Sequence, residues 1–201
     1  MTFFEAVENL KLKTEKEDPK AKKGDKKIPI INQTQDQMNM TRIDLSGFKS
    51  LRFSRAGLKE LLDGISNMPQ VRSLNLRHNG IGDEHEKEVL AIFNIKTIKN
   101  LDLSCNNIAK LALAIGRKMR DETTHFTWFD ITQNDFLHDV KANTDIIAGL
   151  KRQKCLTYAG LSVEGALTEQ LVRLVPPKRA ASISLNMRNS TFTPLAIFNL
   201  S

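Results

Sequence analysis

The stretch VRSLNLRHNGI (residues 71–81) is followed 27 residues later by IKNLDLSCNNI (98–108) and 28 residues after that by FTWFDITQNDF (126–136). The three align without a gap. Each carries apolar residues at positions 1, 4, 6 and 11 and an asparagine at position 9. Apolar residues at 4 and 6 alternate as in a strand with one buried face. Asn79, Asn106 and Asn134 then turn the chain out of that strand. There a side-chain amide can satisfy backbone groups that the turn leaves unpaired, and successive amides are expected to stack into a ladder.

Weaker copies flank the three. Upstream, MTRIDLSGFKS sets Met40, Ile43 and Leu45 in phase, with Phe48 in place of the asparagine. Downstream, LTYAGLSVEGA from Leu156 has Glu164 there. AASISLNMRNS from Ala180 places Ile183 and Leu185 inward, with Arg188 at position 9. Strong repeats between degenerate ones are the pattern of a solenoid whose outer copies act as caps.

Between the copies lie helical patterns. Leu58, Leu61, Leu62 and Ile65 share one face, as do Val89, Leu90, Ile92 and Phe93. Leu111, Ile115 and Met119 follow the next copy, then Val140, Ile146, Ile147 and Leu150, then Leu167, Leu171 and Leu174 before Pro176 and Pro177. A further helix is expected near Pro194.

The motif resembles the leucine-rich repeat family, and NGIGDEHEKEVLAIF (79–93) is similar to its ribonuclease-inhibitor-like class. The resemblance covers about residues 40–200. It implies an α/β solenoid, a partial horseshoe of about six repeats, with a parallel sheet on the concave side and helices on the convex side. Residues 1–39 form a separate unit: a short apolar helix near Phe3 and Phe4, then a lysine-rich arm. Residues 40–201 form the repeat domain.

In that register positions 3, 5 and 7 face the concave surface. Position 3 gives Arg42, Ser73, Asn100, Trp128, Tyr158 and Ser182. Position 5 gives Asp44, Asn75, Asp102, Asp130, Gly160 and Ser184, and Arg77 stands at position 7. Trp128 and Tyr158, the single tryptophan and tyrosine, fall side by side at roughly 5 Å, one strand apart. Aromatics with a polar edge are frequent binding anchors, so Asp44, Asn75, Arg77, Asp102, Trp128, Asp130 and Tyr158 are the expected partner-binding face.

Cations recur before successive strands: Lys96 and Lys99; Arg117, Lys118 and Arg120; Lys151, Arg152 and Lys154; Lys178 and Arg179. One or two suffice for a helix C-terminus. The triplets, with a net charge of +7, point to a basic ridge and a partner with an acidic protein surface. Nucleic acid is the second choice, because the aromatic interleaving of single-strand binders is missing.

Catalysis finds no motif. His78, His85, His125 and His138 show neither HExxH spacing nor another metal-ligand pattern, and no Gly-rich phosphate loop or GxSxG turn is present. No cofactor and no metal are expected. Cys105 and Cys155 are spaced as separate reduced thiols. No apolar run reaches membrane-spanning length. The expectation is a non-catalytic protein-interaction scaffold or adaptor, a subunit of a hetero-complex in the cytoplasm, with cytoskeleton or cilium as the setting. Two alternatives stand beside it. One is a regulatory binder, as in actin-capping regulators or enzyme inhibitors. The other is a GTPase activator of the ribonuclease-inhibitor-like class, with Arg77 as the exposed arginine.

Overall fold

A computed structural model of the chain describes residues 41–47, 55–121, 125–153, 155–164, 166–172, 184–187 and 190. The N-terminal unit, Phe48, Leu174, the two prolines, Ile183, Arg188 and the stretch around Pro194 lie outside these residues. So do Lys154, Lys178 and Arg179.

Six strands pair in parallel in chain order: β1 (Arg42–Asp44), β2 (Ser73–Asn75), β3 (Asn100–Asp102), β4 (Trp128–Asp130), β5 (Tyr158–Gly160) and β6 (Ser184–Asn186). Each is three residues long, positions 3 to 5 of its repeat. Pairing continues beyond each strand, as in Leu76 N donating to the Asp102 carbonyl and His78 N to that of Ser104. Stacked copies thus satisfy one another's backbone, which a lone short strand could not do.

Helices alternate with the strands: α1 (Arg55–Ser66), α2 (Glu86–Ile92, entered through a 3-10 turn at Asp83–His85), α3 (Leu111–Asp121), α4 (Val140–Arg152) and α5 (Ala166–Val172). Their apolar stripes meet the inward residues Leu74, Leu76, Leu101, Leu103, Phe129 and Ile131 in one continuous core. The expected helix positions Leu58, Leu61, Leu62, Ile65, Ile115 and Met119 are all buried. Val140 is a correction: it opens α4 and is 64% exposed, because the apolar stripe begins one turn later. The architecture is an open α/β solenoid, as the repeat implied.

The asparagines act across repeats. Asn106 donates Nδ2 to the Leu76 carbonyl of the preceding repeat at 3.0 Å and accepts at Oδ1 from Asn79 N and Ile81 N. Asn134 repeats the pattern toward Leu103 O and Ile108 N, and Asn79 reaches Leu45 O. The ladder thus runs from each amide to backbone groups of the preceding repeat, the role the turn chemistry gave these asparagines. Just before each asparagine, position 8 is left-handed: His78 (φ 59°), Cys105 (56°) and Gln133 (59°), with Gly47 (69°) in the first copy. That twist aims the following amide inward.

The last repeat corrects the expected register. β5 pairs Tyr158 with Ser184 and Gly160 with Asn186, so Ser184 takes position 3 and Asn186 position 5. Leu185 and Met187 pack against the core. Ser190 then falls at position 9, and its hydroxyl accepts from Val163 N at 3.0 Å. A slip of two residues preserves which face each side chain takes, so alternation alone could not resolve it.

Candidate functional site

The position-5 row was expected to be a set of free partner-facing groups. Its first four members are instead bonded to the turn after their own strands. Asp44, Asn75, Asp102 and Asp130 accept at Oδ1 from the backbone N–H two residues on, at 2.9–3.0 Å. The hydroxyls of Ser46, Ser104 and Thr132 add a second donor to the three carboxylates. Four consecutive repeats thus end their strands in the same Asx turn. Short polar residues two apart, D-x-S/T, are the signal that marks it in the sequence.

Exposure then separates the row. Asp44 is exposed and paired with Arg42 at 3.0 Å. Burial alone would raise its pKa, but the bonds from Ser46 and Arg42 outweigh that and hold it below the usual carboxylate range. Asn75, Arg77 and Asp102 are half-buried. Arg77 donates weakly to the Ser104 hydroxyl at 3.4 Å, so it does not stand free. Asp102 has its carboxyl pushed up by burial, with the neighbouring Asp130 adding to the effect.

Asp130 is a correction, because it is only 4% exposed and does not present itself to a partner. Its Oδ2 accepts from the Tyr158 hydroxyl at 2.6 Å and from Asn186 Nδ2 at 3.1 Å. The carboxylate lies over Gly160, where a Cβ would sit 2.3–2.5 Å from its atoms. Only glycine leaves that room.

Above this buried carboxylate the two aromatics form a flat stack. The Trp128 and Tyr158 rings have centroids 4.5 Å apart and an interplanar angle of 7°. Both are half-buried. The strand beneath is anchored by Phe93, Phe126 and Phe129, with Phe93 edge-on to Phe126 at 5.3 Å. Burial and the Asp130 bond push the Tyr158 phenol well above its ordinary pKa, so it stays a donor. Beside Trp128 a shallow concavity of about 290 Å³ is lined by Arg42, Ser73, Leu74, Asn75, Asn100 and Asp102. Arg42, Ser73 and Asn100, which the register sets at position 3 on the concave surface, were not among the expected binding residues, and neither was Asn186, which reaches Asp130 from β6.

The basic ridge divides in two. Arg120 is bound to Asp121 and Asp145, both at 2.7 Å. Arg152 donates to the Arg120 carbonyl at the end of α3, and Lys118 donates to Asn94 at 3.1 Å. These three link successive helices. Lys96, Arg117 and Lys151 are exposed, and Lys99 is half-buried. Burial, joined by the nearby charges of Lys99 and Lys96, lowers the His125 imidazole pKa and outweighs the backbone bonds at Ile95 and Ile98, which act to raise it. His138 meets Glu164 at 2.8 Å, and His85 is buried in the 3-10 turn. Among the described residues no three metal-ligating side chains converge, and no helix is long and apolar enough to cross a membrane. Cys105 and Cys155 are free thiols.

With this geometry in hand, a family model described as "Leucine Rich repeat" matches residues 68–84, the turn and strand of the second repeat. The matched segment is one leucine-rich repeat, and the fold is a leucine-rich-repeat solenoid. No curated protein matches it significantly in sequence. Among solved structures, the leucine-rich-repeat chain is similar to the tropomodulin C-terminal domain of Caenorhabditis elegans, with 12% identity and a TM-score of 0.54 over 84% of this chain and 90% of that one. It is also similar to actin-binding site 2 of leiomodin-1, with 18% identity and a TM-score of 0.53 over 83% and 87%. At these identities the likeness is one of fold.

Proposed function

We propose that this leucine-rich-repeat protein is a non-catalytic protein-binding module of the actin cytoskeleton, engaging its partner through the concave sheet around Trp128. The observation that carries the reading is the Trp128–Tyr158 stack, held flat by a buried carboxylate. A large, pre-ordered amphipathic surface of this kind loses little entropy on binding, which suits it to be an anchor. The actin assignment draws on the fold shared with an actin-binding site of leiomodin-1. Lys96, Arg117 and Lys151, exposed at the helix ends, suit an acidic patch on the same partner. An adaptor role in a larger hetero-complex, in cytoplasmic cytoskeleton or cilium, is the setting in which such a module would work.

The test is co-sedimentation of the full chain with actin filaments, together with calorimetric titration of monomeric actin, a readout that does not depend on the tryptophan itself. Binding to either form that is lost in Trp128→Ala, with the circular dichroism of the variant unchanged, supports the proposal. Absence of binding to both forms, or full binding by the variant, overturns it.

A further inference from the structure

The concavity beside Trp128 has a chemistry that selects its occupant. Trp128 covers Tyr158 with one face, and its indole forms one wall of the depression. Asn100, its partner across the β3–β4 pairing, and Asp102 two residues further along β3 form the adjoining lining. Asp102 is half-buried and commits Oδ1 to Ser104. Its other oxygen has no hydrogen-bond partner among the described residues. Arg77, the cation that acts on it, is turned to the Ser104 hydroxyl, and Arg42 on the far rim is paired with Asp44.

We propose that this concavity is a receptor for one cationic side chain of the protein partner, an arginine or lysine seated between the Trp128 indole and the Asp102 carboxylate. The inference rests on the concave sheet being the partner-facing surface, and adds the chemical group it takes. An indole face attracts a cation through its quadrupole, more strongly than Tyr or Phe. A partly desolvated carboxylate with one open oxygen gains most from a donor that brings positive charge. On adjacent strands, positions offset by two residues lie roughly 7–8 Å apart, a span that a planar guanidinium or an ammonium on its apolar stem can bridge. A neutral amide would satisfy the hydrogen bond alone; an anion would meet Asp102 directly.

The experiment uses the full chain, isotopically labelled, titrated with a blocked Gly-Arg-Gly peptide and its citrulline counterpart. The single Trp128 indole N–H is the reporter. The arginine peptide should shift that resonance saturably, and the citrulline peptide should bind about fivefold more weakly or worse. Asp102→Asn should weaken the arginine peptide by a similar factor without moving the resonances of the Phe93–Phe126–Phe129 core. Equal shifts with both peptides, or none with either, overturn the proposal. The two readings fail separately. Peptide selectivity without actin binding sinks the actin assignment alone, whereas Trp128-dependent actin binding without peptide selectivity sinks the cation receptor alone.

Discussion

The Tyr158 hydroxyl donates to Asp130 across 2.6 Å, which ties the ring beneath Trp128 to the strand that carries Trp128 itself. The stack is therefore closed from both sides: ring on ring above, and phenol on carboxylate below. An aromatic pair held only by its faces could slide, and this one is pinned. Asn186 reaches the same carboxylate from β6, so three neighbouring strands share one anchor.

Alkali tests the pin. Burial, followed by the Asp130 bond, raises the Tyr158 phenol above its ordinary 10.0. The folded state then holds its proton more tightly than the unfolded chain. The stabilisation is complete below the unfolded pKa and is lost as pH rises from about 10 through the folded value. Since Tyr158 is the only tyrosine, phenolate absorbance follows it alone. The native titration is expected well above that of the urea-unfolded chain, and Tyr158→Phe should remove this alkaline loss of stability.

Gly160→Ala tests the space beneath the pin. The new methyl would fall within 2.5 Å of the Asp130 carboxylate, whose Asx turn and Tyr158 bond resist displacement. A loss of about 1–3 kcal/mol is expected in urea unfolding. Trp128 emission should change with it, since the stack must open. Unchanged emission would mean that Asp130 yields without disturbing the aromatics.

Asp83 links repeats at the helix layer. Its carboxylate accepts from Leu111 N at 2.8 Å and from Ala109 N and Lys110 N at 3.0 Å, capping α3 from the previous repeat. Burial would raise its pKa, but these three donors outweigh it and hold it below the ordinary carboxylate value of 3.8. The contribution is thus present above 3.8 and is lost as pH falls through the depressed folded value. Asp83→Ala should cost about 1–2 kcal/mol near neutrality, with the gap to the parent narrowing in acid.

Asn106 carries the heaviest load among the ladder asparagines. Replacing it with alanine orphans Asn79 N and Ile81 N as donors and the Leu76 carbonyl as an acceptor. The expected loss in thermal or urea unfolding is about 3 kcal/mol or more. Glutamine should not rescue it, since its longer stem moves the amide past both backbone partners.

Much of this was legible beforehand because a solenoid repeats one local rule. Position 4 and 6 side chains enter the core wherever the pattern is clean, from Leu74 to Ile131, and the asparagines turn the chain as their chemistry requires. The Trp128–Tyr158 neighbourhood followed from the register alone. Asp130 could not be read in the same way. Its outward position suggested exposure, and its burial depends on a missing Cβ at Gly160 and on donors from two other strands. The ridge failed similarly at Arg120, whose partner Asp145 lies one helix away. Cations that look alike along the chain differ by what the next repeat sets against them.

The sequence by itself determined the repeat, the parallel sheet, the inward and outward faces and the aromatic pair, because each follows from periodicity within one copy and spacing between copies. The tertiary structure alone decided which outward groups are free. That outcome depends on side chains 25 to 56 residues apart meeting across strands and helices, as Arg120 does with Asp145 and Asn186 with Asp130. It also decided the register of the last repeat, where a two-residue slip leaves the faces unchanged and only cross-strand hydrogen bonding selects the pairing.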